Sequence, residues 1–432
     1  MKINNDKPFG IAVVGLGTVG SGLISILEQN KDIITARTGR EFQILAVSAK
    51  NKKKKRNLDL EHLNWIENPL DVTKLPDIHC VVELVGGYDG IAKELIFKAL
   101  EAGKMVVTAN KALLAHHGHE IARRAEQNGV NVYFEAAVAG GIPIVKTMLE
   151  SLSPNKTKKI FGVINGTCNY ILTEMEKNST NYDEVFKKAK NLGYVEADPE
   201  LDIGGIDTAH KLVLLSNIAF NQKIDLKNVS VDGIKDISLF DINSAKELGF
   251  KIKLLATAKI TDSGSQNEVA PCLIPIDSPI AQVFGSENIV SVDNNFLGQT
   301  YYRGAGAGAG PTASAVMADL INISRDAPRP VFGVPEKKMK VSRPSENEFK
   351  HSFYIRIIIK DEPGALSHIT GILADHEISI NRMRQKDHKG REAPIVLLTH
   401  ETAPLRIKKC INQLTKNKFC IGKPIFLKVE DI

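Results

Sequence analysis

The sequence lacks the features that mark secreted, membrane-spanning and zinc-binding proteins. Its five cysteines are far apart and never form a C-x-x-C pair, which argues against a disulfide scaffold or a zinc site. No apolar run approaches the length needed to cross a bilayer, and the first residues have no apolar signal-peptide core. We therefore expect a cytoplasmic protein with reduced thiols and no membrane partner.

The sequence also has little excess charge. The net charge is +6, and the basic residues concentrate at 50–56 instead of following a helix face with aromatics between them. We therefore expect no nucleic-acid partner. With 43% hydrophobic and 25% charged residues over 432 positions, the chain has the composition of an ordinary globular protein of about three compact units.

The N-terminal part alternates short apolar runs with helical patterns. Residues 9–15 are a continuous apolar run typical of a strand buried on both faces, and 42–47, 81–87 and 105–108 repeat the pattern. Helical spacing separates these runs. The alternation predicts an α/β, Rossmann-type nucleotide-binding domain over residues 1–140.

The pattern changes after residue 140. Residues 141–303 mix helices and strands, which predicts an α+β substrate-binding and dimerisation domain. Residues 304–325 begin with a Gly/Ala run and continue as a helix, which we expect to pack back on the first domain. Residues 326–350 form a Pro-, Lys- and Ser-rich linker. Residues 351–432 have the βαββαβ order of a ferredoxin-like domain.

A G-x-G-x-x-G motif lies at the first strand-to-helix junction. Glycines there permit a tight turn and close approach of a pyrophosphate, which the helix N-terminus stabilises. No acidic residue closes the second strand to hold a ribose 2′-hydroxyl, and the basic run after it suits a 2′-phosphate, so NADP is favoured over NAD. The alternative is a solvated charged loop, with Lys50 as the one expected contact. The cofactor residues predicted here are Gly15, Leu16, Gly17, Thr18, Val19, Gly20, Ala49 and Lys50.

Charged residues in two further segments are candidates for the chemistry. Lys111 follows the fourth strand signal, at the sheet edge where open α/β folds bind ligands. Asp207 and Lys211 are four residues apart and therefore share one helix face. A surface ion pair is the alternative, but the apolar neighbours Ile206 and Val213 favour a buried helix and a site.

The order and spacing of these motifs resemble homoserine dehydrogenase over nearly the whole chain. The resemblance implies reversible reduction of L-aspartate 4-semialdehyde to L-homoserine, a step toward threonine, methionine and isoleucine. The matching segments are 15–20, 82–87, 108–111, 165–167, 193–211 and 304–316.

The resemblance also assigns residues. Lys111 and Lys211 look like the two catalytic lysines, with Asp207 beside them. Glu196 and Asp202, together with Lys111, are the implied substrate-binding residues. When hydride leaves the substrate, a group must accept the hydroxyl proton and stabilise alkoxide character, which a lysine can do. Whether Lys211 is a base, a proton relay or an electrostatic clamp stays open. The implied cofactor contacts also include Gly86, Lys111, Gly304 and Gly306.

A further segment resembles the family's site for a monovalent cation, Na⁺. Its implied ligands are Glu135 and the backbone carbonyls of Val138, Gly140 and Ile142, all oxygens, as a hard cation requires. A plain turn before a helix is the alternative.

Two rival functions remain. Cys168 stands where family members often have Thr, so an aldehyde-oxidising semialdehyde dehydrogenase with a thiolate nucleophile is one rival. A nonenzymatic sensor of cofactor and amino acid is the other, and the paired lysines Lys111 and Lys211 argue against it.

The C-terminal segment resembles the ACT domain. Its Asp361-x-Pro363-Gly364 turn ends a strand and opens a helix, so backbone N–H groups can hold an amino acid's carboxylate, and Asn381 follows on the next strand. Threonine is the expected effector, and a purely structural, dimer-forming role is the alternative. We expect a homodimer or homotetramer. The linker predicts that deletion from about residue 345 leaves an active, threonine-insensitive enzyme.

Overall fold

The computed structural model describes residues 7–56, 58–195, 198–262, 264–343, 349–385 and 390–432. The nucleotide-binding part contains a six-stranded parallel sheet in the order β3-β2-β1-β4-β5-β6. Every residue of its central strand β1 is buried, as its unbroken apolar run requires. The elements are β1 Phe9–Val14, α1 Thr18–Gln29, α2 Lys31–Thr38, β2 Phe42–Ser48, β3 Asn64–Trp65, β4 Cys80–Glu83, α3 Ile91–Glu101, β5 Met105–Thr108, α4 Lys111–Asn128 and β6 Val132–Tyr133.

The second part packs helices against a largely antiparallel sheet. Helix α9 is buried on nearly all sides, as expected for a helix whose sequence is mostly apolar. The elements are α5 Ile144–Leu149, β7 Thr157–Val163, α6 Gly166–Asn178, α7 Tyr182–Asn191, α8 Pro199–Ile203, α9 Ile206–Phe220, β8 Gln222–Lys223, β9 Val229–Val231, α10 Leu239–Glu247, β10 Phe250–Ile260, β11 Ser265–Pro275, β12 Glu287–Asn294 and β13 Gly298–Ala305.

Helix α11, Ala309–Ile323, returns the chain to the nucleotide-binding part and packs against α1. The two helices approach closely because Gly22 has no side chain: a Cβ there would lie 3.0 Å from the carbonyl oxygen of Ala309. Residues of α11 such as Val316 and Leu320 complete the apolar core on that face of the sheet.

The C-terminal part has the predicted βαββαβ order, and its antiparallel strands lie in the ferredoxin-like order β18-β15-β17-β16. Together with the parallel sheet described above, this confirms the predicted fold class. The elements are β14 Lys340–Val341, which pairs with β8, then β15 Phe353–Lys360, α12 Ala365–Asp375, β16 Ile380–Gln385, β17 Glu392–Thr399, α13 Pro404–Thr415 and β18 Cys420–Val429. Among the described residues, no helix is long and apolar enough to cross a membrane.

The C-terminal part is joined to the second part through one continuous sheet. Strand β18 lies parallel to β11, so a single sheet of ten described strands runs through both parts. Tyr354 and Arg356 on β15 donate to Asp241 on α10 at 2.9 and 2.8 Å. The C-terminal part is therefore connected to the second part by strand pairing as well as by the linker, and β18 covers an edge of β11 that would otherwise be exposed.

Candidate active site

The glycine-rich loop has the geometry that an anion site requires. Gly15 has φ +106°, and a Cβ there would lie 2.4 Å from the carbonyl oxygen of Leu84. A Cβ on Gly20 would lie 2.1 Å from the carbonyl oxygen of Gly15, whereas one on Gly17 would meet nothing within 4 Å. Gly17 caps α1 without a side-chain hydrogen bond, so the first N–H groups of the helix can face a pyrophosphate.

The basic loop after β2 is held against this glycine-rich loop by Arg56. Its Nε donates to the carbonyl oxygen of Leu16 at 3.0 Å, and its guanidinium lies 5.7 Å from the Trp65 ring centre. Lys50 is exposed and Ala49 is half-buried at the end of β2. Nothing local in the sequence distinguishes Arg56 from the neighbouring solvated cations, because its partner Leu16 is distant in sequence.

The loops after β4 and β5 are tied together by Glu83. Its buried carboxylate accepts the N–H groups of Val85 at 2.8 Å and Gly86 at 3.1 Å, and the Thr108 hydroxyl at 2.6 Å. Asn110 donates from Nδ2 to the carbonyl oxygen of Gly87 at 2.7 Å. This network fixes the predicted cofactor residue Gly86 beside the start of α4, where Lys111 lies. The sequence pattern predicts only a strand position for Glu83, because its partner Thr108 lies on another strand.

The structure brings Lys111, Asp207 and Lys211 into one cluster, in which Asp207 and Lys211 are buried and Lys111 is partly exposed. Lys111 Nζ lies 2.9 Å from Asp207 Oδ1, and Lys211 Nζ lies 2.6 Å from Asp207 Oδ2. Lys211 also donates to the carbonyl oxygen of Ile164 at 2.7 Å. The predicted surface-pair alternative for Asp207 and Lys211 is therefore wrong, because both residues are buried and a third charged group from another domain joins them.

Asn165 positions the carboxylates of this cluster. Its Nδ2 donates to Asp202 Oδ1 at 3.0 Å and to Asp207 Oδ2 at 3.1 Å, while its Oδ1 caps α6 by accepting the Cys168 N–H at 2.8 Å. The sequence pattern places this asparagine in a matching segment but does not predict its contacts with Asp202 and Asp207. An Asn directly before a helix signals a cap but not a contact with another helix. Glu196, the other implied substrate carboxylate, lies outside the described residues.

The cluster keeps its central carboxylate ionised. Burial acts to raise the pKa of Asp207, but the ammonium groups of Lys211 and Lys111 outweigh it and hold the pKa well below its usual range. Burial lowers the pKa of His210 to about 4, so this imidazole is neutral at neutral pH. Its ring centre lies 5.6 Å from that of His116 on α4. His210 therefore adds no charge to the site at neutral pH.

Cys168 is not placed to act as a nucleophile. It is fully buried, and its thiol donates to the carbonyl oxygen of Asp202 at 3.3 Å. Burial, with Asp202 and Asp207 nearby, raises the pKa of the thiol well above its usual value. Because the thiolate is the reactive form, this geometry argues against the semialdehyde dehydrogenase alternative.

The implied cation ligands lie together in one buried turn, but Glu135 has other partners. Its Oε1 accepts the Val145 N–H at 2.9 Å and its Oε2 the Lys146 N–H at 2.7 Å, and burial raises its pKa to about 7. A cation would share these oxygens with the N-terminus of α5. Within the described ranges, no group of three His, Cys, Asp or Glu residues could hold a metal, so a cation site at this turn would depend mainly on backbone carbonyl oxygens.

The other implied residues of this turn are buried, and two predicted cofactor residues contact it. Val138, Gly140 and Ile142 are all buried, and the carbonyl oxygen of Ile142 accepts the Ile144 N–H at 2.7 Å. A Cβ on Gly140 would lie 2.5 Å from the carbonyl oxygen of Gly306, and one on Gly304 would lie 3.3 Å from Ile142. The glycine run before α11 therefore packs on this turn.

The four predicted effector residues are exposed. Asp361, Pro363 and Gly364 form the turn before α12, and Asn381 lies on β16, at the edge of the sheet. Gly364 has φ +87° and caps α12 without a side-chain hydrogen bond. The turn therefore leaves its helix N-terminus open to solvent.

Three family descriptions match the chain. Residues 15–135 match "Homoserine dehydrogenase, NAD binding domain", residues 143–321 match "Homoserine dehydrogenase" and residues 353–417 match "ACT domain". The chain is 42% identical to the homoserine dehydrogenase of Neisseria gonorrhoeae over 99% of each chain. A crystal structure of a homoserine dehydrogenase from Thiobacillus denitrificans superposes with a TM-score of 0.91 at 40% identity, over 98% of this chain and 99% of that one. A hyperthermophilic archaeal homoserine dehydrogenase in complex with NADPH has a TM-score of 0.65 at 24% identity, over 75% of this chain and 100% of that one.

Proposed function

The chain belongs to the homoserine dehydrogenase family, oxidoreductases that interconvert L-aspartate 4-semialdehyde and L-homoserine, and we propose that Lys111, Asp207 and Lys211 form its reacting centre. The observation that carries this proposal is the contact of both lysines with one buried carboxylate, 2.9 and 2.6 Å away. The three residues come from α4 and α9, at the carboxyl end of the parallel sheet, where open α/β folds bind their ligands.

When bound, a nicotinamide cofactor supplies or accepts the hydride. In the reducing direction negative charge grows on the carbonyl oxygen of the substrate, and the Lys211 ammonium stabilises it and donates a proton. Asp207 and the carbonyl oxygen of Ile164 orient that ammonium. Lys111 adds positive charge from the opposite side of Asp207. In the oxidising direction Lys211 receives the hydroxyl proton.

Carboxylates on the second domain hold the amino-acid end of the substrate in this proposal. A substrate ammonium requires a negative partner, and Asp202 lies beside Asp207 through the shared amide of Asn165. Glu196 is the second proposed partner, and Lys111 is the proposed partner of the substrate carboxylate. A spectrophotometric assay of homoserine oxidation with NADP and with NAD tests the activity, and absence of turnover with both cofactors would refute it.

We propose NADP as the preferred cofactor, with Lys50 as the contact of its 2′-phosphate. The open Gly17, the first turn of α1 and the Arg56-anchored loop support a dinucleotide with extra negative charge. Lys50→Glu should lower the ratio of kcat/KM for NADP to that for NAD by about tenfold or more, which is about 1.4 kcal/mol. Lys98→Glu on the exposed side of α3 is the control, and an unchanged ratio in Lys50→Glu would remove Lys50 from the site.

We further propose feedback inhibition by threonine at the turn of the ACT domain. The turn residues are exposed, so Asp361→Ala and Asn381→Ala should leave the fold intact while weakening inhibition. This is a cleaner test than truncation, because β18 shares a sheet with β11. Asp375→Ala is a matched exposed control. Inhibition that is identical in all three variants and in the unaltered protein would place the effector elsewhere.

Three finer expectations complete the proposal. A monovalent cation, Na⁺, would use Glu135 with the carbonyl oxygens of Val138, Gly140 and Ile142, and exchange of Na⁺ for a bulky organic cation should then lower thermal stability. A homodimer or homotetramer is expected, which light scattering after gel filtration measures. The cytoplasm is the proposed location, consistent with the absence of disulfides among the described cysteines.

A further inference from the structure

The loop after β4 is fastened to helix α4 at two successive residues. The carbonyl oxygen of Gly87 accepts a hydrogen bond from Asn110 Nδ2 at 2.7 Å. The ring of Tyr88, the next residue, stacks on the ring of His116, with ring centres 4.4 Å apart and planes 25° apart. Because the predicted cofactor residue Gly86 directly precedes both contacts, the position of this loop depends on α4.

His116 also contacts the second domain. Its ring meets the ring of His210 on α9 edge to face, with ring centres 5.6 Å apart and planes 62° apart. His210 lies three residues after Asp207 and directly before Lys211, so it is on the face of α9 that carries Asp207. Tyr88, His116 and His210 therefore form a continuous ring stack from the cofactor loop to the reacting centre.

The ring stack ends on a histidine that carries no charge. Burial is the main cause that lowers the pKa of His210 to about 4, and His116, Lys111 and Lys211 lower it further, while Asp207 acts in the opposite direction. At neutral pH the imidazole therefore does not repel the two lysine ammonium groups beside it. The contact between His116 and His210 depends on ring packing, for which an edge-to-face arrangement is favourable.

The ring stack crosses the joint between the two domains that the reaction must bring together. Tyr88 and His116 belong to the nucleotide-binding part, whereas His210 belongs to the second part. Helix α4 thus meets α9 at two places, through the ion pair of Lys111 with Asp207 and through the His116 ring. Hydride transfer requires a cofactor on one part and a substrate on the other to be aligned, and a misplacement of about 1 Å can cost about 10²-fold in rate.

We infer that His116 is a positioning residue for hydride transfer, because its ring, held between Tyr88 and His210, sets the place of the cofactor loop relative to the reacting centre. Tyr88 acts through the same ring. Neither residue touches the reacting atoms or carries a proton in this inference. His116 is exposed, so its removal leaves no cavity in the core. The inference rests on the proposed reacting centre.

The test compares His116→Ala with His116→Phe, which keeps an aromatic ring but has no ring nitrogen. In His116→Ala, kcat for homoserine oxidation should fall by about 10- to 100-fold, because the cofactor loop is no longer held in place. His116→Phe should retain most of the activity. The matched control is His368→Ala, which removes an exposed histidine ring 4.9 Å from the Phe419 ring in the ACT domain and should leave kcat unchanged.

A kinetic isotope effect identifies the step that slows. With L-homoserine deuterated at its hydroxymethyl carbon, the isotope effect on kcat in His116→Ala should be at least as large as in the unaltered protein, because hydride transfer and not product release is impaired. Tyr88→Ala should show the same defect, and the double variant should lose little more than either single variant, as expected for residues that act through one contact.

Three outcomes would overturn the inference. Unchanged kcat in His116→Ala would show that the ring positions nothing, and an equal loss in His116→Phe would assign the effect to a ring nitrogen. A smaller isotope effect in His116→Ala would place the defect in a step other than hydride transfer. Turnover of Lys211→Ala, measured in parallel, tests the reacting centre by itself, so its failure is distinguishable from a failure of the positioning role.

Discussion

Two buried clusters in this molecule are built from the same parts, a carboxylate between two lysines, and differ in their surroundings. In the active-site cluster, Asp207 pairs with Lys111 and Lys211, and 31% of the Lys111 side chain is exposed. The second cluster lies where the second domain meets the ACT domain, and we call it the seam cluster. In it Glu430 pairs with Lys259 at 2.9 Å and with Lys428 at 2.8 Å, and these three side chains are 3%, 5% and 6% exposed.

The difference shows what makes a charged cluster suitable for chemistry. Both clusters satisfy their charges internally, as buried ions must. Only the first has a lysine that reaches solvent, and only the first lies at the carboxyl end of the parallel sheet, next to an open glycine-rich loop. The seam cluster is closed by β11, β18 and His351 and holds two domains together. The two clusters have similar side chains, so access of solvent and ligands to a lysine distinguishes the reacting centre from the cluster that only stabilises a domain contact.

The sharpest test removes one lysine from the active-site cluster. Lys211→Ala should lower kcat by about 10²- to 10⁴-fold, because the proton donor is lost, while the folded protein binds the cofactor with an affinity close to that of the unaltered protein. Lys211→Arg separates the possible roles: an arginine keeps the charge but does not release a proton, so strong residual activity would indicate a clamp. A kcat within tenfold in Lys211→Ala would contradict the assignment.

The matching change in the seam cluster should affect stability instead. Glu430→Gln leaves Lys259 buried without its carboxylate partner, whereas Lys428 keeps Glu268, and the change should cost about 3–5 kcal/mol of unfolding free energy. Well below the unfolding transition, kcat should be nearly unchanged. Chemical denaturation measures the free energy of unfolding of this variant and of Glu401→Gln, a control at an exposed glutamate. Equal free energies in the two variants would show that the seam ion pairs do not stabilise the fold.

Acid should weaken the seam before it weakens the active-site cluster. Burial acts to raise the pKa of Glu430, but Lys428, Lys259 and the nearby His351 outweigh it and lower the pKa to about 2. A lowered pKa contributes stability that is present above the ordinary value of 4.5 and is lost as pH falls toward 2. Glu430→Gln should therefore remove acid dependence on the order of 2 kcal/mol between about pH 6 and about pH 3, seen as a flatter melting-temperature profile over that range.

The smallest expected effect comes from the positioning residue of the active-site cluster. Asn165→Ser keeps an oxygen that can cap α6 but loses the amide that spans Asp202 and Asp207, so kcat/KM should fall by about 10- to 100-fold with little loss of stability. Asn165→Ala should lose about 1 kcal/mol more in stability because the cap is also removed. A defect confined to stability in both variants would leave Asn165 as a helix cap only.

Much of the fold was predictable because its signals are local. The apolar runs of the parallel strands, the glycine-rich turn and the βαββαβ order depend on neighbours in sequence, and the family prediction made from them is confirmed. Arg56 and Glu83 were missed because their partners, Leu16 and Thr108, are distant in sequence. The linker also suggested a separable C-terminal domain, since no local pattern records that β18 pairs with β11.

Helix periodicity and strand ends are properties of short segments, so the sequence is enough to predict that Asp207 and Lys211 share a helix face and that Lys111 follows a strand. Three contacts become visible only in the folded chain: Lys111 meets the same carboxylate, Asn165 joins that carboxylate to Asp202, and Glu430 lies between two lysines at a closed seam. A buried charge takes its environment from every element packed around it, and that packing is a property of the whole folded chain.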